Sequence, residues 1–247
     1  MNIMGFFHTI VYQPLYNVIV LFYNIIPGHD FGVSIIMTTV LIKLFLIPVS
    51  KKQIESQKKL QEIQPKIKEI QKKHKNDKEK QTREIMDAYK KNKANPVSGC
   101  LPLIIQMVFL IAIYRIIMNI SLGGLTVNSH DLYSFIPSPG KINNIFFGIV
   151  DLSKPNIVIA FLAAAAQFYQ TKMLMKSKKA ENKQEEKTDG KPDFASMMNK
   201  QMLYLGPVLT LMIGIKFPAG LAIYWLVSTL FMIFQQIYVF KEKIPTK

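Results

Sequence analysis

Phe31 to Pro48 reads FGVSIIMTTVLIKLFLIP, an apolar run interrupted by one charge, Lys43. The run is about as long as a helix needs to cross a bilayer core, roughly 17–25 residues. An ammonium at the centre of such a helix costs about 2.5–3.5 kcal/mol on insertion scales, so intramembrane charges usually face a wet cavity or a partner. Lys43 stands five residues before Pro48. A second reading therefore applies, in which its long stem carries the charge to the nearer surface. The run by itself leaves both readings open.

Outward from this run, charge sets the topology. The chain has 247 residues, 49% of them hydrophobic, and a mean hydropathy of +0.17, which suits a small integral membrane protein. The net charge of +15 is uneven. Lys51–Lys93 holds 15 Lys/Arg against 7 Asp/Glu, residues 172–202 hold 8 against 5, and 241–247 hold 3 against 1. The stretch 122–154 holds 2 against 2, and the first 42 residues contain neither Lys nor Arg. Basic excess marks cytoplasmic loops, so 51–95, 176–202 and the tail 241–247 are expected inside, and 1–30 and 122–155 outside.

The expected fold is all-α: a bundle of five transmembrane helices with a cytoplasmic helical hairpin and an N-terminal interfacial helix. The spans are Phe31–Ser50, Val97–Ser121, 156–175 (apolar over Asn156–Tyr169), Leu203–Phe217 and Ala219–Phe240. The N-terminus lies outside and the C-terminus in the cytoplasm of a plasma (inner) membrane. Residues 3–26 are apolar but interrupted by His8, Gln13, Pro14, Asn17 and Asn24, with no basic n-region of a secretory signal. Asn17 and Asn24 share one face, which favours an outer interfacial helix within 1–30 over a sixth span. Cys100 is the sole cysteine, so no internal disulfide can form.

Within 51–95, Ile54, Leu60, Ile63, Ile67 and Ile70 form a narrow heptad-like stripe. Pro65 should kink that helix. His74–Lys78 reads as a turn and Thr82–Lys91 as a second helix carrying Ile85, Met86 and Tyr89, which completes an antiparallel hairpin. Residues 176–202 lack apolar periodicity over Lys176–Pro192 and read as flexible. The loop 122–155, rich in Gly, Pro, Ser and scattered aromatics, reads as lying on the outer membrane surface. The apolar parts of the third and fourth spans, at about 1.5 Å per residue, fall short of a roughly 30 Å core and should thin the bilayer beside them.

Counted from the cytoplasmic ends, the polar residues of the spans fall mostly in the inner half or the middle. Thr39 lies one turn from Lys43, and Gln106 lies within the second span. Gln167 and Gln170 lie near the inner end of the third. Trp225, Ser228, Thr229, Met232 and Gln236 share a face of the fifth. Unsatisfied polar groups are expensive in lipid, and a water-containing groove open inward would satisfy them together. Each Gln or Ser could also simply join helices by hydrogen bonds. The four histidines lack metal-ligand spacing, there is no HExxH, GxSxG or Gly-rich phosphate loop, and no serine is placed to form a dyad with Lys43. An enzyme is not expected, nor any cofactor. Acidic residues interleave the basic hairpin, so specific DNA binding is not expected, and anionic lipid or ribosomal RNA fits that face better.

Four stretches carry a family resemblance: TTVLIKLFLIPVSKKQ (38–53), LQEIQPKIKEIQKK (60–73), NPVSGCLPLIIQM (95–107) and FPAGLAIYWLVSTLFMIFQQ (217–236). In order, spacing and span assignment they resemble the YidC-type membrane protein insertases, in their short form without the large extracytoplasmic domain. The resemblance implies five core helices, an inward-open hydrophilic groove, and insertion of nascent helices without nucleotide hydrolysis. Lys43 falls where the family usually carries arginine. Thr39, Gln106, Tyr224 and Trp225 fall where it lines the groove or contacts substrate. The expected site is therefore Lys43, Thr39, Gln106, Gln167, Gln170, Tyr224, Trp225 and Ser228. Lys for Arg keeps the charge but loses the planar donor fork. Met107-Val108 stands where relatives often have Met-Pro, and the tail 241–247 lacks a long basic extension. Implied partners are nascent membrane protein substrates, the lipid bilayer, and the ribosome and Sec translocon through the hairpin and loops. A small solute or ion transporter with Lys43 as its binding or gating charge is the competing class, though no internal repeat supports it. A scaffold or chaperone for assembly partners is a third.

Overall fold

A computed structural model describes residues 3–75, 77–92, 94–95, 101–176 and 194–241. Cys100 and most of the stretches 176–202 and 241–247 lie outside the described residues. The helices run in order α1 (Ile3–Phe7), a π-helical turn (His8–Tyr12), α2 (Gln13–Ile25), α3 (Phe31–Phe45), α4 (Ile47–Glu62), α5 (Gln64–Lys73), α6 (Lys78–Lys91), α7 (Leu101–Leu122), α8 (Ile157–Lys176), α9 (Phe194–Lys216) and α10 (Ala219–Lys241). Between α7 and α8 the antiparallel pair β1 (Ile145–Phe146) and β2 (Val150–Asp151) folds within a loop.

Proline and capping residues account for most of the boundaries. Pro48 cannot donate to the carbonyl one turn back, so the helix from Phe31 ends at Phe45 and not at Ser50. The chain turns by 67° into α4. Asp30 starts α3 by accepting from Gly32 N (2.7 Å) and Val33 N (3.1 Å) through Oδ1. Pro14 follows the π-helical turn, in which the Gln13 amide donates to His8 O. Pro65 sits in the first turn of α5, where its missing N–H is tolerated.

By length and composition, Met4–Ile25, Ile104–Leu122 and Ala219–Val239 can each cross a membrane, and the bent pair beginning at Phe31 makes a fourth. Ile157–Met173 and Leu203–Lys216 are shorter apolar helices. The helices containing them are longer than the apolar stretches suggest, because α8 continues to Lys176 and α9 begins at Phe194. α10 is the hub of the bundle, packing against α3, α4, α7, α8 and α9. α8 and α9 are paired most closely. A Cβ at Gly214 would lie 2.6 Å from Ala160 Cβ and 3.0 Å from its Cα. Gly214→Val should therefore force the two helices apart at a cost of about 1–3 kcal/mol, read as a lower thermal midpoint in detergent. An unchanged midpoint would mean that the pair yields without strain.

In the hairpin, α5 and α6 pack through Ile63, Ile67 and Ala88, flanked by Ile70, Ile85 and Tyr89. Met86 points outward instead, being 45% exposed. α6 begins at Lys78, four residues earlier than the apolar pattern indicates, because Asp77 caps it by accepting from Lys80 N (3.0 Å). Ile54 is buried but belongs to α4, where it shares a face with the buried Ser50 and Gln53.

The largest departure concerns residues 122–155. They do not merely lie on a surface. They fold over α2 and are held by its polar groups. Asn17 is 1% exposed. Its Nδ2 donates to Asp131 O (2.8 Å) and to Gln13 O (2.8 Å), and its Oδ1 accepts from Tyr133 N (2.7 Å). Asn24 Nδ2 donates to Pro137 O (2.8 Å), and the Tyr23 hydroxyl accepts from Asn143 N (2.7 Å). The polar stripe of α2 therefore bonds to the loop, with Asn17 buried beneath it and Asn24 at its edge.

Candidate functional site

α3 carries a polar face into the bundle. Thr38 and Thr39 are fully buried, and Thr39 Oγ1 donates to Ile35 O (2.6 Å), the usual local partner for a helical threonine. Lys43, one turn further on, is 8% exposed. Its Nζ donates to Gln106 Oε1 on α7 (3.2 Å). The ammonium thus turns inward to another helix. Among the described residues no Asp or Glu lies within ion-pair distance of it. An amide oxygen offers a dipole but no countercharge, so the site retains an uncompensated positive charge. A buried charge of that kind is costly unless water or a partner reaches it.

A second polar group joins α8 and α10. Gln167 Oε1 accepts from Trp225 Nε1 (3.4 Å) and from Thr229 Oγ1 (3.4 Å). Thr229 also donates to Trp225 O (2.8 Å). One amide oxygen thereby holds the indole ring in a fixed orientation. The ring forms part of a small crevice with Thr210, Gly214 and Phe217 of the adjacent helix region and with Ala163. Tyr224 and Ser228 are both buried, one turn apart on α10, and Gln170 is buried one turn beyond Gln167 on α8.

Of the eight expected residues, Thr39, Gln170, Tyr224 and Ser228 are buried on α3, α8 and α10. Among the described residues the others form two hydrogen-bonded pairs, Lys43 with Gln106 between α3 and α7 and Trp225 with Gln167 between α10 and α8. Their levels differ as well. At roughly 1.5 Å per residue, Lys43 lies about 18 Å from the start of α3, whereas Trp225 lies only about 9 Å from the start of α10. Both helices start on the side of the 122–155 loop. Trp225 thus lies nearer to the loop side than Lys43 does.

The sequence does not single out several buried polar residues, among them Thr38, Ser50 and Gln53. Among the described residues Thr38 Oγ1 and Gln53 Nε2 have no hydrogen-bond partner, and Ser50 is buried beside Gln53 on α4. Ser50, Gln53 and Ile54 stand at i, i+3 and i+4, a helical face that could have been read had the surrounding lysines not suggested solvent. Gln236, already on the α10 face, is 2% exposed, and its Oε1 lacks a partner. Unpartnered polar atoms at this depth mark a region suited to water or to a polar guest.

Residues 21–247 match the profile of the family described as the 60Kd inner membrane protein. The chain is 30% identical over 213 residues to the membrane protein insertase YidC of Fusobacterium nucleatum, covering 86% of this chain and 87% of that one. It is 29% identical over 235 residues to YidC of Streptomyces avermitilis, covering 89% and 53%. It is 32% identical over 248 residues to YidC of Rickettsia felis, covering 96% and 40%. The chain thus spans about half or less of the length of the second and third of these relatives.

Proposed function

This chain belongs to the 60Kd inner membrane protein family, and on that premise we propose that it is a membrane protein insertase. It receives a nascent transmembrane segment from the hairpin side, holds the polar flank of that segment at Lys43, and releases the apolar part into the bilayer. No nucleotide is consumed. The carrying observation is the buried ammonium of Lys43, bonded to Gln106 and, among the described residues, without a carboxylate partner. Such a charge attracts an acidic residue of a passing chain. At an effective dielectric of 20, a pair at 4 Å gains about 4 kcal/mol, which offsets part of the carboxylate's desolvation. The hold must be temporary, and a compact ammonium with a neutral amide neighbour gives a weaker grip than a bidentate guanidinium.

The reading includes five spans, α3, α7, α8, α9 and α10, with α2 lying at the interface on the loop side. Contacts between α2 and the loop from Asn17 to Asn24 support that placement, since a helix crossing the membrane would leave the loop behind. The side of the 122–155 loop is then outside, and the basic hairpin and C-terminus are cytoplasmic, as the Lys/Arg bias favours. The short apolar lengths of α8 and α9 thin the bilayer beside the site, and the hairpin offers a surface to the ribosome and the Sec translocon.

A photo-crosslinker at position 43 should capture stalled nascent chains whose first span is still emerging, and should release them once that span is complete. Absence of crosslinks from position 43, with crosslinks retained from the lipid-facing Phe234, would overturn the groove. A solute carrier would instead show flux in proteoliposomes without any nascent chain.

A further inference from the structure

The tip of the β1–β2 hairpin has no role in the proposed insertion path, yet it is held with unusual firmness. Phe147 N donates to Asp30 Oδ2 (2.8 Å), the same carboxylate that caps α3. The Phe146 ring lies against Gly32, where a Cβ would come within 2.2 Å of it, so only glycine admits the ring. On the other flank, Leu152 O accepts from Gly220 N (3.2 Å) and Lys154 O from Ala219 N (2.8 Å), which caps α10. Asn144 Nδ2 and the Ser153 hydroxyl both bond to Asp151 Oδ1. Burial alone would raise the Asp151 carboxyl, but donation from Ser153 and Lys154 holds it below the usual carboxylate range. The hairpin is thus fastened to the first turns of two membrane-embedded helices at once.

What this frame presents is apolar. Phe147 is 69% exposed and Ile149 84%, at either side of Gly148. Phe147 adopts φ 48°, a left-handed conformation that a bulky residue rarely takes. Six residues beyond β2, α8 opens with Ile157 and Val158, which are 71% and 63% exposed. Single exposed apolar residues on a protein surface mean little. Two at a rigid, strained turn, beside the first residues of α3 and continuous in sequence with the lipid-facing start of α8, are a different matter.

We propose that Phe147 and Ile149 are seated in the bilayer, at the boundary between headgroups and acyl chains on the loop side. The depth follows from the frame. Phe147 N is bonded to the residue that precedes Phe31, where the apolar run of α3 starts, so the tip lies at the level where hydrocarbon begins. Aromatic and aliphatic side chains at that level gain by leaving water, and the two caps transmit the anchorage to the registers of α3 and α10. The occupant is lipid and not a second copy of the chain, because the tip stands level with the start of the apolar run of α3, where lipid is the neighbouring phase.

The test uses the full chain with Cys100→Ser, reconstituted in nanodiscs of phosphatidylethanolamine and phosphatidylglycerol. A spin label at Ile149→Cys should be relaxed by oxygen in preference to a water-soluble nickel complex, as should one at Phe234→Cys on α10. A label at Lys141→Cys, elsewhere on the loop, should show the reverse. Nickel-dominated relaxation at 149 with lipid-like behaviour at 234 would overturn the proposal and leave the spans intact. Failure at 234 would overturn the membrane placement itself. Strong dipolar coupling between labels at 149 would place a second copy there and also overturn it.

Discussion

Replacing Lys43 with glutamate should abolish insertion of substrates whose translocated flank is acidic, and do so more completely than any other single substitution in the bundle. The charge reversal converts attraction into repulsion at a buried point. Even if half of the roughly 4 kcal/mol of a pair at 4 Å survives in a wet groove, insertion of an acidic-tailed single-span substrate should fall by at least about tenfold. Lys43→Ala should show a smaller loss, and Lys43→Arg should keep activity, because it keeps the charge. Gln106→Leu removes the acceptor of Lys43 Nζ and leaves the ammonium in place, so it should change insertion less than either Lys43→Ala or Lys43→Glu. Substrates with neutral flanks are the internal control and should lose less than about twofold, since the term removed is electrostatic. The measurement is protease protection of the translocated tail in proteoliposomes. Equal insertion of acidic and neutral substrates by Lys43→Glu would remove the charge from the mechanism.

The second large effect is structural. Asn17→Leu preserves volume but strands Tyr133 N and leaves Asp131 O only the longer bond from Gln13 Nε2 (3.4 Å). An unsatisfied buried backbone group costs about 1–3 kcal/mol, so the loss should be of that size. It should appear first around Tyr133, because Val127, Ile136, Ile142 and Leu152 keep the rest of the loop packed in the core. Hydrogen exchange at the Tyr133 amide is the direct reporter and should accelerate strongly. Asn17→Asp keeps an acceptor for Tyr133 N but loses both donors, so exchange at Tyr133 should accelerate less than in Asn17→Leu. Native protection of Tyr133 in Asn17→Leu would show that other contacts hold the loop.

Much of the helical layout was readable because its causes are local. Pro48 and Pro65 cannot donate, so the breaks near them are written in the chain. The apolar stripe of the hairpin has a helical period that survives any tertiary context. Asp77 as a cap was equally local but went unread, and α6 consequently begins earlier than the apolar pattern implies. Met86 was misjudged because two neighbouring residues both looked apolar, and only the packing angle of α5 on α6 selects Ala88 in its place.

Composition, charge bias and four motifs were enough to determine a basic-hairpinned, all-helical membrane protein of the 60Kd inner membrane protein family and to single out Lys43. Those properties depend on residue chemistry and on spacing along one helix. Three matters were decided only by tertiary structure. Lys43 turns to Gln106 and not to the surface, because the fold brings that α7 side chain within reach of its ammonium. Asn17 and Asn24 bind the 122–155 loop, because residues more than a hundred positions away fold back over α2. Lys43 and Trp225 lie at different levels, because depth depends on where each helix begins relative to its neighbours. In every case the deciding contact is between segments distant in the chain, and no local periodicity encodes which buried donor will meet which acceptor.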